Sequence, residues 1–339
     1  MKVKKRRKDD YRELVTSIEL LLLKAKEQAA KEINYLLVQT YWQIGKFIIE
    51  FEQRGKGRAE YGAQVLDRLS KDLTAKFGKG FGRSNLVYIR QLYLTYSKSG
   101  TLSHQLGWSH YYELLKIDNP LERGFYEQQS IKENWSIREL KRQKQSALFQ
   151  RLALSKDKKG FLKLAKEGQQ IQHPNDLFRD PYIFEFLQLP ERNLYSETDI
   201  EAELISNLQH FILELGKGFA FIGRQYRMTL ANRHYHVDLV FYHRILKCFV
   251  LIDLKKGEVL HEDIGQMNMY LNYFKKEENV ADDREPIGII LSTAKDKVLV
   301  EYALGGITNK LFVSKYQLYL PDKRLLEKEV RHILEQHEE

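Results

Sequence analysis

Two domains of different class are predicted by this 339-residue sequence. The N-terminal part reads as all-α with a helix-turn-helix-like outline, and the C-terminal part as an α/β domain on a mixed sheet flanked by helices. Three observations predict this. Apolar residues recur at helical spacing through the first half, short apolar runs alternate with helical patterns after residue 198, and a polar stretch separates the two. The expected boundaries are 10–150 for the helical domain, 151–175 for the linker and 176–339 for the α/β domain.

From Asp10 to about Phe51, Leu14, Ile18, Leu21 and Leu22, then Ile33, Leu36, Leu37, Tyr41 and Ile44, mark two or more amphipathic helices. Gly55-Lys56-Gly57-Arg58 interrupts the pattern, and a helix from about Tyr61 to Phe77 follows, ended by Gly78. The basic glycine turn GKGFGR, 78–83, leads to Ser84, an N-cap residue, and a helix from Asn85 to about Tyr96 whose inner stripe is Leu86, Ile89 and Tyr93. Helix, glycine turn, helix is the outline of a helix-turn-helix, and also of a plain helical hairpin. On its second helix Asn85, Tyr88 and Gln91 are expected to point outward, with Arg83 at its start and Arg90 along it. Such groups reach phosphates or base edges. Ser109 to Gln145 is again helical, with a capping box at Ser136 and Glu139. Beyond the linker the pattern gives a helix from Thr198 to Leu215, strands between Ala220 and Leu254, a helix from Glu262 to Lys275, a strand from Ile287 to Leu291 and a last strand near Phe312 to Leu320.

A hydrophobic content of 43% with 12% aromatics supports packed cores. The longest aliphatic run, Leu20 to Leu23, is far below the ~20 residues that span a bilayer. The basic start has no apolar segment behind it, which argues against a secretory signal. The single cysteine, Cys248, excludes an internal disulfide and sits beside an apolar run as a small core residue. A cytoplasmic protein with no membrane association is therefore expected. The net charge of +9 is unevenly distributed. Residues 1–150 hold 28 of the 55 Lys/Arg and 17 of the 46 Asp/Glu, an excess of about +11, so the helical half is expected to face a polyanion.

The candidate site lies in HVDLVFYHRILKCFVLIDLKKGE, residues 236–258. Asp238, Asp253 and Lys255 stand within two apolar runs joined by a tight turn, where an ionised side chain is costly unless paired or bound to a cation. Alternation puts Asp253 and Lys255 on one face of their strand. If the hairpin closes His243 against Cys248, Asp238 falls opposite Asp253, and both carboxylates face one metal. Glu201 is the third candidate acid. It lies in a Thr198–Glu201 capping-box pattern, yet it also precedes Leu204 and Ile205 of the buried stripe, whereas Glu203, Asn207, His210 and Glu214 belong to the wet side. His234, His236 and His243 cluster near the hairpin without the ligand spacing of a zinc site.

This arrangement resembles the PD-(D/E)XK nucleases. Gln266 and Tyr270, in GQMNMYLNYF, resemble the Q-x-x-x-Y of RecB-like members. Over most of the chain the segments YWQIGKFI, AEYGAQVLDRLSKDL, KENWSIREL, DLFRDPYIFEFL and GKGFAFIGRQYR resemble the YhcG-type bacterial nucleases. The resemblance implies a restriction-endonuclease-like sheet and a DNA endonuclease or DNA-processing enzyme. Asp238, Asp253 and Glu201 would hold Mg²⁺, with Mn²⁺ as an alternative ion, and Lys255 would orient or activate the attacking water. Gln266 and Tyr270 would act near the substrate phosphate or metal water. Two departures stand out: Val237 precedes Asp238 where the motif has proline, and Asp253 stands where YhcG-type proteins usually carry glutamate. The alternative is a DNA-binding or partner-binding protein with a degenerate nuclease-like domain. Dimerisation stays open, although members of the superfamily that cut both strands often pair.

Overall fold

The computed structural model describes residues 2–54, 59–97, 102–154, 158–177, 179–189, 195–294, 300, 304–305 and 308–336. The chain forms two compact units, 1–141 and 142–339. The stretch 55–58, expected to interrupt the first helices, lies outside the described residues.

The first unit is helical. Helix α1, Lys2–Arg54, runs unbroken for 53 residues where two or more helices were expected. No proline and one glycine, Gly45, occur in the segment, so nothing ends the helix. The periodic residues of its first half meet no core. Leu14, Ile18, Leu21 and Leu22 are exposed, and the buried stripe begins at Val38 and continues through Tyr41, Ile48 and Ile49. Gly45 lets α1 approach α3 (Arg83–Tyr96) so closely that a Cβ there would collide with the Ile89 carbonyl. Helix α2, Ala59–Phe77, ends at Gly78 with φ +85°, the left-handed conformation that glycine adopts without strain. Helix α3 starts two residues earlier than expected, with Gly82 and not Ser84 at the N-cap position. Three more helices follow: α4 (Trp108–Leu114), α5 (Pro120–Glu133) and α6 (Ile137–Gln145), the last opened by the expected exchange between Ser136 and Glu139.

The second unit takes in the end of α6 and continues with α7 (Leu148–Ala153) and α8 (Lys158–Glu167), so helical structure extends into the stretch 151–175 expected as linker. Its centre is a six-stranded mixed sheet of β1 (Tyr182–Ile183), β2 (Phe219–Leu230), β3 (Arg233–His243), β4 (Cys248–Glu258), β5 (Ile287–Ala294) and β6 (Lys310–Gln317), in the order β1-β6-β5-β4-β3-β2. Neighbours from β1 to β4 are parallel, while β3 is antiparallel to both β4 and β2. Two helices, α9 (Glu197–Ser206) and α10 (Leu208–Leu215), cover one sheet face, burying Ile200, Leu204 and Phe211 against Leu239, Phe241 and Ile252. Helix α11 (His261–Tyr273) makes the crossover from β4 to β5 and packs Ile264, Met267 and Leu271 on the other face with Val240, Leu251 and Ile290. Helix α12, Lys323–Gln336, follows β6.

Helices α9 and α10 correct the expectation of one helix from Thr198 to Leu215. Asn207 leaves helical geometry (φ −111°, ψ 28°), which shifts the phase of the apolar stripe. Glu214, expected on the wet side, is 0% exposed. It pairs with Arg151 at 2.7 Å and Arg142 at 3.2 Å, has Arg179 at 3.9 Å, and accepts from Ile183 N at 2.9 Å. Burial alone would raise its pKa, but the three guanidiniums outweigh it and hold the carboxyl down at about 2. The capping box also starts earlier than expected. Ser196 is the N-cap and Asp199 its reciprocal partner, which leaves Glu201 free of any capping duty.

Candidate active site

The β3–β4 hairpin closes as the apolar pattern requires, His243 opposite Cys248 and onward to Leu239 opposite Ile252. The ladder stops there. One residue further, the side chain of Asp238 replaces a backbone acceptor: its Oδ2 takes the Leu254 N–H at 2.8 Å, and the strands begin to part. Asp253 lies across this opening, close enough for the charge of Asp238 to act on its carboxyl. Lys255, two residues along the same face of β4, places Nζ 2.7 Å from Asp253 Oδ2 and 3.8 Å from Asp263 Oδ1.

The electrostatics follow from this crowding. Asp253 is 4% exposed, and burial together with the charge of Asp238 pushes its pKa up to about 7 against the opposing pull of Lys255. Burial disfavours the charge on Lys255, but Asp253, with Asp263 and Glu197 further out, prevails and holds its pKa above the ordinary lysine value. Lys255 therefore keeps its proton at neutral pH and serves as a charged hydrogen-bond donor to Asp253.

Glu201 faces the same opening from α9. It is 6% exposed, and burial raises its pKa while the Gln225 hydrogen bond opposes that rise. Gln225 Nε2 donates both to Glu201 Oε2 at 2.6 Å and to Asp238 Oδ1 at 3.0 Å. This glutamine has φ +46°, unusual for a side chain with a Cβ, and such outliers concentrate at functional sites. Sequence reasoning did not single it out. It stands in GKGFAFIGRQYR, a segment noted only for its family resemblance, and only the pairing of β2 with β3 carries it to the acids. From α11, Gln266 Nε2 donates to the Tyr270 hydroxyl. Tyr270 is 1% exposed, and burial, reinforced by the charge of Asp253, pushes its phenol up to about 12. The phenol thus keeps its proton beside the acids.

Whether a divalent ion fits can be judged from the donors. Among the described residues no three His, Cys, Asp or Glu side chains form a ready cage. Asp238 and Asp253 do form an adjacent, oxygen-only pair, and Mg²⁺ is commonly held by one or two carboxylates with water and substrate phosphate completing the shell. Burial first, and then the charge of Asp238, disfavour the ionised form of Asp253, and a cation bound to the pair would oppose both. Glu201 is one step removed, separated from Asp238 by the Gln225 amide.

The residues expected to touch DNA from the first unit are mostly turned to internal duties. Asn85 donates to the Gly80 carbonyl and accepts from Trp108 Nε1 at 3.1 Å; Gln91 donates to the Leu115 carbonyl at 3.1 Å; the Tyr88 ring lies 4.3 Å from that of Tyr112. Arg90 pairs with Glu52 and Arg83 with Asp67, each at 2.8 Å. The outward orientation expected for Asn85, Tyr88 and Gln91 is thus corrected: a helix-surface count ignores the loop and α4 packed beside α3. Beside them opens a cleft of about 940 Å³ whose lining includes Lys79, Arg83, Trp108, Tyr112, Lys116 and Lys141.

Two carboxylates and a lysine on adjoining strands, on a mixed sheet with helices on each face, form the pattern of one enzyme class. Residues 175–331 match the family model of the YhcG PDDEXK nuclease domain, so the second unit is a PDDEXK nuclease domain. Residues 17–151 match the DUF1016 N-terminal domain. An Escherichia coli (strain K12) protein named "Putative nuclease YhcG" is 38% identical over 354 aligned positions, covering 95% of this chain and 94% of that protein. The chain belongs to the YhcG family of nucleases. Among solved structures, a repair endonuclease from Pyrococcus abyssi is 21% identical with a TM-score of 0.27 over 39% of this chain, and a complex of EndoMS with double-stranded DNA is 19% identical with 0.26 over 40%. The chain spans about half the length of each of those two structures. No helix among the described residues is long and apolar enough to cross a membrane.

Proposed function

We propose that this chain is a divalent-metal-dependent DNA endonuclease that hydrolyses phosphodiester bonds at the parted end of β3 and β4. The observation that carries the reading is the meeting of the Asp238 and Asp253 carboxyls with the Lys255 ammonium 2.7 Å from Asp253. Asp238 and Asp253 would hold Mg²⁺ or Mn²⁺, with Glu201 as an outer acid. The ion would supply neutralisation of phosphate charge and acidification of a bound water. Lys255, keeping its proton, would donate to the attacking water oxygen or to a phosphoryl oxygen and so fix the direction of attack. Tyr270, held by Gln266, offers a second donor that stays protonated at working pH. Gln225 keeps Glu201 and Asp238 at a fixed separation. The basic cleft of the first unit would supply sequence-independent affinity for the phosphate backbone.

The test is cleavage of a panel of linear, nicked, branched and single-stranded DNA in Mg²⁺, Mn²⁺ and EDTA. Asp238→Asn and Lys255→Ala should each lower cleavage by orders of magnitude while leaving DNA affinity within a few-fold. Equal activity in EDTA, or an unimpaired Asp238→Asn protein, would overturn the metal mechanism. A folded protein that binds DNA but cuts nothing in either ion would instead support a degenerate, binding-only domain.

A further inference from the structure

Strands β2 and β3 continue as a two-stranded ribbon beyond the point where β3 leaves β4, through Leu230 opposite Arg233. The ribbon is closed by the two-residue turn Ala231-Asn232, with φ of +47° and +60°, as a tight hairpin turn requires. An isolated ribbon of this kind is marginally stable, and this one rests on the α11 side through Tyr226, Met228, Tyr235 and Val237, which join the cluster around Phe274. Alternation then puts Arg227, Thr229, His234 and His236 on the opposite face, and all four are exposed.

Three features make that face more than a solvated edge. The first is register. Arg227 pairs with His236 and Thr229 with His234, and the next pair inward, between Arg224–Leu239 and Tyr226–Val237, sets Gln225 opposite Asp238. The row therefore begins one pair beyond Gln225 and Asp238, which are hydrogen-bonded to each other, and continues outward with one pair every ~6.7 Å along the strands. The second is charge. Residues 219–237 contain three arginines, two histidines and no acidic residue, although 151–339 as a whole carries a slight acidic excess. An edge that needed charge only to prevent strand pairing could take either sign. The third is preorganisation. Arg227 donates to the His234 ring (2.9 Å to Nε2), and Thr229 Oγ1 lies 3.0 Å from His234 Nδ1, so the donors are held in place ahead of any ligand.

We infer that this face of the β2–β3 ribbon is the track along which the sugar-phosphate backbone of the substrate strand reaches the acids, with Arg227 and His236 as the first groups to meet a phosphate. The inference rests on the nuclease reading and names how the substrate of that site is held. Contacts from guanidinium, imidazole and hydroxyl groups to phosphate oxygens carry no sequence information, so a track that holds the backbone favours nucleic acid of any sequence.

The test uses the full chain carrying Asp253→Asn to suppress cutting, with a fluorescent 30-base-pair duplex and the matching single strand titrated in EDTA across a KCl series. Adding Arg227→Ala and His236→Ala should raise Kd about tenfold or more. It should also flatten the salt slope on the duplex by about 0.9 for each phosphate that is no longer neutralised. Arg227→Lys should recover most of the affinity, and Arg324→Ala, on α12, should change neither quantity. In the cutting-competent chain the double substitution should raise KM with kcat within a few-fold. Unchanged Kd and slope, or an equal loss in Arg324→Ala, would overturn the track. Because binding is read without cleavage, a chain that cuts normally with unchanged KM refutes the ribbon alone. A chain that cuts nothing yet loses affinity in the double variant supports the ribbon and refutes the enzyme reading.

Discussion

Replacing Asp253 by asparagine should make the metal-free protein more stable, and the gain should depend on pH. Each tenfold change in proton affinity corresponds to about 1.4 kcal/mol, so a carboxyl raised from near 4 to about 7 costs the charged native state at most about 4 kcal/mol. The sign follows from proton linkage. A carboxyl whose folded pKa lies above its unfolded value binds its proton more tightly when folded, so stability falls as pH rises from about 4 through about 7, and the penalty is complete above that. Asparagine removes that charge, and the shift from which the penalty is taken is already net of the attraction and hydrogen bond from Lys255. The expectation is a gain of up to about 4 kcal/mol at pH 8, seen as a rise of several degrees in Tm, and a gain of no more than about 1.4 kcal/mol at pH 5. Divalent ions should act oppositely. An ion at a hundred times its Kd adds about 2.7 kcal/mol to the wild type, and most of that increment should vanish in the variant. Thermal melts of both proteins at pH 5 and pH 8, with EDTA and with a Mn²⁺ series, read all four quantities. A variant less stable than wild type at pH 8 that keeps the full metal-induced shift would refute the account of Asp253 as a buried, metal-binding carboxylate.

Three further outcomes are expected. Glu201→Gln should reduce cleavage at least tenfold, about 1.4 kcal/mol of transition-state stabilisation, with partial recovery at high metal concentration, while Glu203→Gln, two residues away on the same helix, should be silent; steady-state kinetics of the pair decides whether α9 presents the acid assigned to it. Glu214→Ala should cost about 3–5 kcal/mol in denaturant unfolding, because it leaves three guanidiniums without the carboxylate they share, and a change below about 1 kcal/mol would show that the cluster is not a stability element. Gly45→Ala should destabilise by about 1–3 kcal/mol through its collision with the Ile89 carbonyl, and an unchanged unfolding midpoint would mean that α1 and α3 separate easily.

Residue pattern alone defines the hairpin and much of its chemistry. Alternation over Val237–Tyr242 and the apolar run Phe249–Leu254 mark two strands, and a four-residue loop fixes their register; the structure pairs His243 with Cys248 as that register demands. A period of two then settles which residues share a face, so the approach of Lys255 to Asp253 was legible without coordinates. What depended on packing was not legible. The stripe of α1 predicted burial that its first half never receives, because periodicity reports an apolar face and not the presence of a partner. Glu214 looked solvent-facing because one dihedral break at Asn207 resets the helical phase, and its counter-charges come from Arg142, Arg151 and Arg179, 35 or more residues away. Gln225 lies in the family-like segment GKGFAFIGRQYR, yet nothing local assigned it a role: that role arises because β2 lies beside β3 and α9 lies over the sheet, so that one amide reaches Glu201 and Asp238 together. Local order follows from short-range sterics and periodicity, which a sequence displays, whereas the meeting of side chains from separate elements is fixed by how those elements pack, and that is set when the chain folds.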